Sequence, residues 1–171
     1  MKLRLLFISI IISSLGFSQD DLSKLLKKYN QESIPYISVR ELAISKTSAV
    51  LLDAREPEEF AVSHLKNAIC VGYEDFNLKT VTNSIKNKDQ DIVVYCSLGI
   101  RSEDIAIKLK KEGYKNVKNL FGGIFEWKNN NLKIYNQKNQ TTDSIHAFSK
   151  KWSKWLKKGI KVYQKNLENN D

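Results

Sequence analysis

The chain holds 171 residues, 42% hydrophobic and 27% charged, which is enough apolar material for a packed core and too much for wholesale disorder. Seven glycines and two prolines exclude collagen-like and proline-rich chains, and two cysteines with two histidines exclude a Cys/His zinc framework or a disulfide-stapled miniprotein. The net charge of +9 sits at the ends, since residues 19–131 hold 17 basic and 16 acidic side chains, so no basic nucleic-acid groove is expected.

Met1-Lys2-Leu3-Arg4 is a positively charged start, and Leu5 to Phe17 follows as a mostly apolar run. That run is too short to span a bilayer and suits the core of an export signal, with cleavage expected after Ser18. Residues 1–18 are therefore read as a signal peptide, and the mature chain as periplasmic or secreted with no membrane-spanning segment, an uncleaved N-terminal membrane anchor being the alternative. Gln19 to Glu32 is a polar, helical lead-in. Tyr36-Ile37-Ser38 is extended, and Ser38 with Glu41 has the spacing of a capping box that starts a helix. Ala49 to Asp53 is a continuous apolar run ending in an acid, as expected of a strand buried on both faces of a parallel sheet. Ala68 to Val71 is a second short strand, Leu78 to Ile85 a helix, and Ile92 to Tyr95 the most strand-like run in the chain. A loop from Cys96 to Arg101 precedes a helix over Ser102 to Glu112, stopped by Gly113. Val117 to Leu120 reads as a further strand, and Gly122-Gly123 as a turn into a short helix through Trp127. Strands alternating with helices predict an α/β fold with a mostly parallel sheet of about five strands.

The chemistry is expected in the loop Cys96-Ser97-Leu98-Gly99-Ile100-Arg101. In open parallel sheets, sites form beyond the carboxyl ends of strands, and Cys96 stands at such an end. Backbone N–H groups curling around the sulfur, with the positive end of the helix at Ser102, favour a thiolate and an anion bound to it. Gly99 permits the positive φ that lets amides converge, and Arg101 offers a planar donor fork for an oxyanion. A buried structural thiol is the alternative for Cys96. Cys, Gly, Arg and Ser at these offsets in a strand-to-helix turn favour function.

With these residues in place the chain resembles the rhodanese-like (thiosulfate sulfurtransferase) family over about residues 33–130. Leu51 to Phe60 with Ser63-His64-Leu65 is similar to its first signature. Val93-Val94-Tyr95-Cys96 with Gly99, Arg101 and Ser102 is similar to the active-site signature, and Gly113-Tyr114 through Trp127 to the closing segment. The resemblance implies a three-layer rhodanese-like fold and a Cys96 persulfide. That persulfide would carry sulfane sulfur from a small anionic donor (thiosulfate or a persulfide) to a thiol or cyanide-like acceptor, without metal or cofactor. Four residues separate Cys96 from Arg101, one fewer than in phosphatases of the same architecture, and a tighter ring fits sulfur better than phosphate. Lys66 and Asn67 stand where the family commonly has Pro and Gly, and Ser97 where many members have a basic residue. A non-catalytic binding or redox-sensing module built around Cys96 is the second reading.

Asp53 and Arg55 are expected to brace the sheet end, and His64 to be a hydrogen-bonded structural residue. Glu58 and Glu59 read as solvated helix charges, and Cys70 as a packed strand residue, with a thiol that resolves or traps Cys96 in an oxidising compartment as the alternative. Residues 131–171 form a basic, Trp-containing extension. Trp152, Trp155 and Leu156 have helical spacing among Lys150, Lys151, Lys154, Lys157 and Lys158, followed by an alternating Ile160, Val162, Tyr163. An amphipathic helix plus strand folded onto the domain is expected, with an acidic partner or membrane surface as the alternative.

Overall fold

A computed structural model describes residues 20–45 and 48–163. The proposed export segment, residues 1–18, lies outside them. The chain divides into two units, residues 1–32 and 33–171. In the first, residues 20–29 form helix α1. Among the described residues, no helix is long and apolar enough to cross a membrane.

The second unit is an α/β structure on a five-stranded parallel sheet. Its strands are β1 (Tyr36–Ile37), β2 (Val50–Asp53), β3 (Ile69–Cys70), β4 (Ile92–Tyr95) and β5 (Val117–Leu120), in the order β1-β5-β4-β2-β3. Helices α2 (Val39–Ile44), α3 (Pro57–Val62), α4 (Leu78–Ser84), α5 (Arg101–Lys111) and α6 (Gly123–Asn129) connect and follow these strands. All four residues of β4 are buried, as a central parallel strand covered on both faces requires. Ile92 and Val94 join Leu52, Val117, Val81 of α4 and Ile105, Ala106 and Leu109 of α5 in one apolar cluster. Val93 and Tyr95 point to the other face, because successive side chains of a strand alternate.

Local signals place the element ends. Ser38 Oγ accepts the Glu41 N–H at 3.1 Å while Glu41 Oε2 accepts the Ser38 N–H at 2.9 Å, so the expected capping box starts α2. Gly113, at φ 96°, follows the end of α5. Asn67 takes the left-handed conformation, φ 60°, at the position where the family commonly has Gly. The strand order reverses direction between β2 and β4: β2 leads on to β3 on one side, and β4 to β5 on the other. Their carboxyl ends thus flank the crevice where ligands bind in such sheets.

The C-terminal segment departs from the expected helix. Strands β6 (Ile134–Tyr135) and β7 (Thr141–Thr142) form a hairpin. β8 (Ser144–His146) and β9 (Ile160–Val162) then pair in parallel, and β8 packs on α3. Between β8 and β9, only a 3-10 turn forms, at Ser153–Trp155. The alternating pattern at Ile160 and Val162 does form a strand. The helix fails because tertiary partners capture its backbone. Asn129 Nδ2 donates to the Trp155 carbonyl at 2.9 Å, and Asn129 Oδ1 accepts the Lys157 N–H at 2.8 Å. A helix of about a dozen residues is marginal alone, so these contacts decide the outcome. Leu156 is buried, and the five lysines around it stay in water.

Candidate active site

Cys96 is the first residue past β4, and α5 begins at Arg101. The loop between them closes on the sulfur: the Gly99 N–H donates to Cys96 Sγ at 3.1 Å. Gly99 reaches this position at φ 107°, a conformation that residues with a Cβ rarely adopt. Ser102 Oγ lies 3.5 Å from the sulfur, but its proton goes to Asn119 Oδ1 at 2.7 Å. Cys96 is 2% exposed and forms the floor of a cavity of about 200 Å³. Ser97, Leu98, Ile100 and Arg101 of the loop line it, together with Phe148 and Trp152 from the segment between β8 and β9.

Two elements hold the loop from behind. Asn119 of β5, fully buried, donates through Nδ2 to the Gly99 carbonyl at 2.8 Å while accepting from Ser102. The first turn of α6 takes the carbonyls of Cys96 and Ser97, which accept the N–H groups of Ile124 and Phe125 at 2.9 and 3.2 Å. Gly123, at φ 54°, leaves room for this approach, since a Cβ there would collide with the Cys96 carbonyl oxygen. Asn119 is not among the site residues expected from the sequence. A polar side chain inside the run Val117 to Leu120 was the available signal, because a buried amide in a strand needs partners.

Arg101 does not present an open fork. Its Nη1 and Nη2 donate to Glu59 Oε2 and Oε1 at 2.7 and 2.9 Å, and its guanidinium lies over the Phe148 ring at 4.9 Å. Glu59 is therefore not a solvated helix charge: it is 2% exposed, whereas Glu58 beside it is exposed. The third residue of α3 points inward, where it caps the Glu56 N–H at 3.1 Å and meets Arg101. Burial alone would raise the Glu59 pKa. The His146 imidazole, the Arg101 guanidinium and the charge of Arg55 reverse this and hold the carboxyl well below the ordinary carboxylate range. Arg101 meets the carboxylate through two hydrogen bonds, and His146 Nδ1 stands 3.7 Å from Oε1.

Asp53 and Arg55 lie outside the cavity lining, as a fully buried ion pair with Nη2 2.6 Å from Oδ2. The same Nη2 donates to the Ser63 carbonyl at 2.6 Å, which ties the end of β2 to the end of α3. His64 also braces: it stacks on Phe60 with centroids 4.0 Å apart, Nδ1 lies 3.1 Å from the Phe60 carbonyl, and its backbone pairs with Tyr135. Both cysteines are free. Cys70 and Tyr95 pair with Asp53 from opposite sides, so two inter-strand spacings, roughly 10 Å, separate Cys70 from the end of β4. A disulfide needs Cα atoms within about 7 Å. Burial raises the pKa of the Cys70 thiol, with Asp53 adding to it. Among the described residues, no cluster of His, Cys, Asp and Glu is arranged to hold a metal ion.

Residues 38–130 match the model of the rhodanese-like domain, more than half of the chain. The chain belongs to the rhodanese-like domain family. Solved structures of similar fold include a rhodanese-related protein from Thermoplasma volcanium, 24% identical with TM-score 0.51, covering 58% of this chain and 96% of its own. A thiosulfate sulfurtransferase from Pseudomonas aeruginosa gives TM-score 0.56 at 19% identity, covering 81% of this chain and 26% of that one. Curated relatives include the tRNA uridine(34) hydroxylase of Onion yellows phytoplasma (strain OY-M), 33% identical over 99 residues, 54% of this chain. That of Photorhabdus laumondii subsp. laumondii is 36% identical over 87 residues, 49% of this chain. The rhodanese-like chain spans 32% and 25% of the length of these two relatives.

Proposed function

We propose that the protein is a sulfurtransferase in which Cys96 takes a sulfane sulfur from a donor, holds it as a persulfide and passes it to a thiophilic acceptor. The observation that carries this reading is the sulfur itself, set at the floor of an open cavity with the Gly99 N–H directed at it. A thiolate there gains from that amide and from the start of α5, and so does a persulfide anion in its place. The four-residue spacing from Cys96 to Arg101 is one residue shorter than in phosphatases of the same architecture, and a shorter loop suits sulfur better than phosphate. No general base is required when the nucleophile is already a thiolate.

The names of the curated relatives favour a second reading, action on tRNA. Against it stand the balanced charge of residues 19–131 and the apolar lining of the cavity. The charged start and apolar run before Ser18 favour a reaction outside the cytoplasm, and N-terminal sequencing of the mature protein tests that reading.

Purified protein incubated with thiosulfate and cyanide is expected to release thiocyanate. Intact-mass measurement after donor alone is expected to show the gain of one sulfur atom. Cys96→Ser removes both, and activity surviving that change refutes the mechanism. Bulk tRNA is expected to bind no more tightly than about 10 μM at physiological salt, in the range of non-specific contacts. Tighter binding favours the second reading.

A further inference from the structure

The walls above Cys96 are apolar on nearly every side. Leu98 and Ile100 come from the loop, and Phe148 and Trp152 from the segment between β8 and β9. The single cation among the lining residues, Arg101, has both terminal nitrogens engaged by Glu59 and one face covered by Phe148. An inorganic anion entering this cavity loses its hydration and finds no open fork to replace it, which is costly. An alkyl or aryl group meets matching surface. About 200 Å³ lies below the roughly 300–1,000 Å³ of drug-sized sites and suits a compact group.

Phe148 carries a second, independent sign. It sits at φ 61°, a conformation in which a bulky aromatic is a genuine outlier and Asn or Gly is at ease. Phe148 is 49% exposed, so burial in a core is not what demands the side chain. Backbone strain of this kind persists where neighbours over-determine it, and it clusters at ligand sites. Here the neighbours are clear. The Phe148 N–H donates to His146 Nδ1, the Ala147 N–H donates to the Val162 carbonyl at 2.8 Å, and His146 stands against Glu59. The carboxylate that occupies Arg101 thus also backs the residue that seats Phe148.

We propose that Phe148 and Trp152 are specificity-determining residues and that the cavity takes, as sulfur donor, a persulfide bearing an uncharged organic group in preference to thiosulfate. This rests on the sulfur-transfer reading above. In the step, the Cys96 thiolate attacks the outer sulfur of R–S–SH. The new bond joins Sγ to that sulfur, the R–S bond to it breaks, and its electron pair leaves with R–S⁻. The proton stays on the transferred sulfur, giving Cys96–S–SH. An acceptor thiolate then attacks that sulfur and releases the Cys96 thiolate, so no external oxidant or reductant is consumed. The organic group R lies between the two aromatic rings and the Leu98 and Ile100 side chains.

The test is single-turnover loading of Cys96 in the full chain, followed by rapid quench and intact mass. The donors are benzyl persulfide generated in situ and thiosulfate, each rate being divided by that donor's rate with free cysteine. The normalised preference for benzyl persulfide is expected to be about tenfold or more, and to fall about tenfold in Phe148→Asn and in Trp152→Ala, the scale at which apolar pockets discriminate. Phe148→Asn keeps the backbone conformation at ease while removing the ring, so folding is retained, and Phe148→Tyr is expected to keep the preference. A preference near unity, a preference for thiosulfate, or a ratio unmoved in both variants overturns the inference while leaving sulfur transfer intact. Failure of both donors to load reduced Cys96 overturns sulfur transfer itself.

Discussion

Replacing Glu59 by Gln tests the arrangement behind the loop most directly. The carboxylate accepts from Arg101 at 2.7 and 2.9 Å and from the Glu56 N–H at 3.1 Å. Gln retains one carbonyl oxygen and turns an NH2 group toward whichever donor it does not serve, so at least one charge-assisted bond is lost, at about 1.5–3 kcal/mol. The Arg101 guanidinium is left unneutralised, and because its side chain is 16% exposed it recovers part of its hydration. The sum is about 3 kcal/mol, at the lower end of the 3–5 kcal/mol for breaking a buried pair. With a urea slope of about 2 kcal/mol/M, the unfolding midpoint followed by circular dichroism at pH 7 is expected to fall by about 1.5 M. The acid limb adds a second readout. The folded Glu59 carboxyl titrates well below its ordinary value of 4.5, so its contribution is complete above that pH and is lost as pH falls beneath it. The gap between wild type and variant therefore narrows on acidification below about pH 4.5. A midpoint shift under about 0.3 M at pH 7, or a gap that stays constant down to pH 3, refutes the reasoning.

Gly123→Ala drives a Cβ into the Cys96 carbonyl at a positive φ, and is expected to cost about 3 kcal/mol in chemical denaturation and to displace the loop, with Cys96 loading slowed. Asn119→Leu leaves the Gly99 carbonyl and the Ser102 hydroxyl without their partner, so a loss of about 2–3 kcal/mol is expected in the same assay, with slower loading. Phe148→Gly relieves the strained backbone and is expected to raise the thermal midpoint while the preference for an organic donor collapses, a trade readable by melting and loading together. Cys70→Ala is expected to leave sulfur transfer unchanged. A lost or slowed turnover there shows that the second thiol takes part.

Much of the fold was legible because its signals are local. The apolar run Ile92 to Tyr95, the capping box at Ser38 and the glycine after α5 each act through neighbours within a few residues, and each formed where expected. The spacing of Cys96, Gly99 and Arg101 likewise determined a loop at a strand end, with the left-handed glycine that turns an amide to the sulfur.

What surrounds that loop was decided only by tertiary contacts. Glu58 and Glu59 are indistinguishable as adjacent acids, and which one turns inward depends on Arg101, 42 residues further on. Asn119 acquires its role from a carbonyl 20 residues earlier in the chain. The lysine-rich stretch after Phe148 had the pattern of a helix and lost it to Asn129, whose side chain takes its backbone groups and folds an aromatic wall over the cavity. Periodicity records which face of a segment is apolar. The partner against which that face packs, and the charge waiting there, belong to distant parts of the chain that meet only once the sheet has formed.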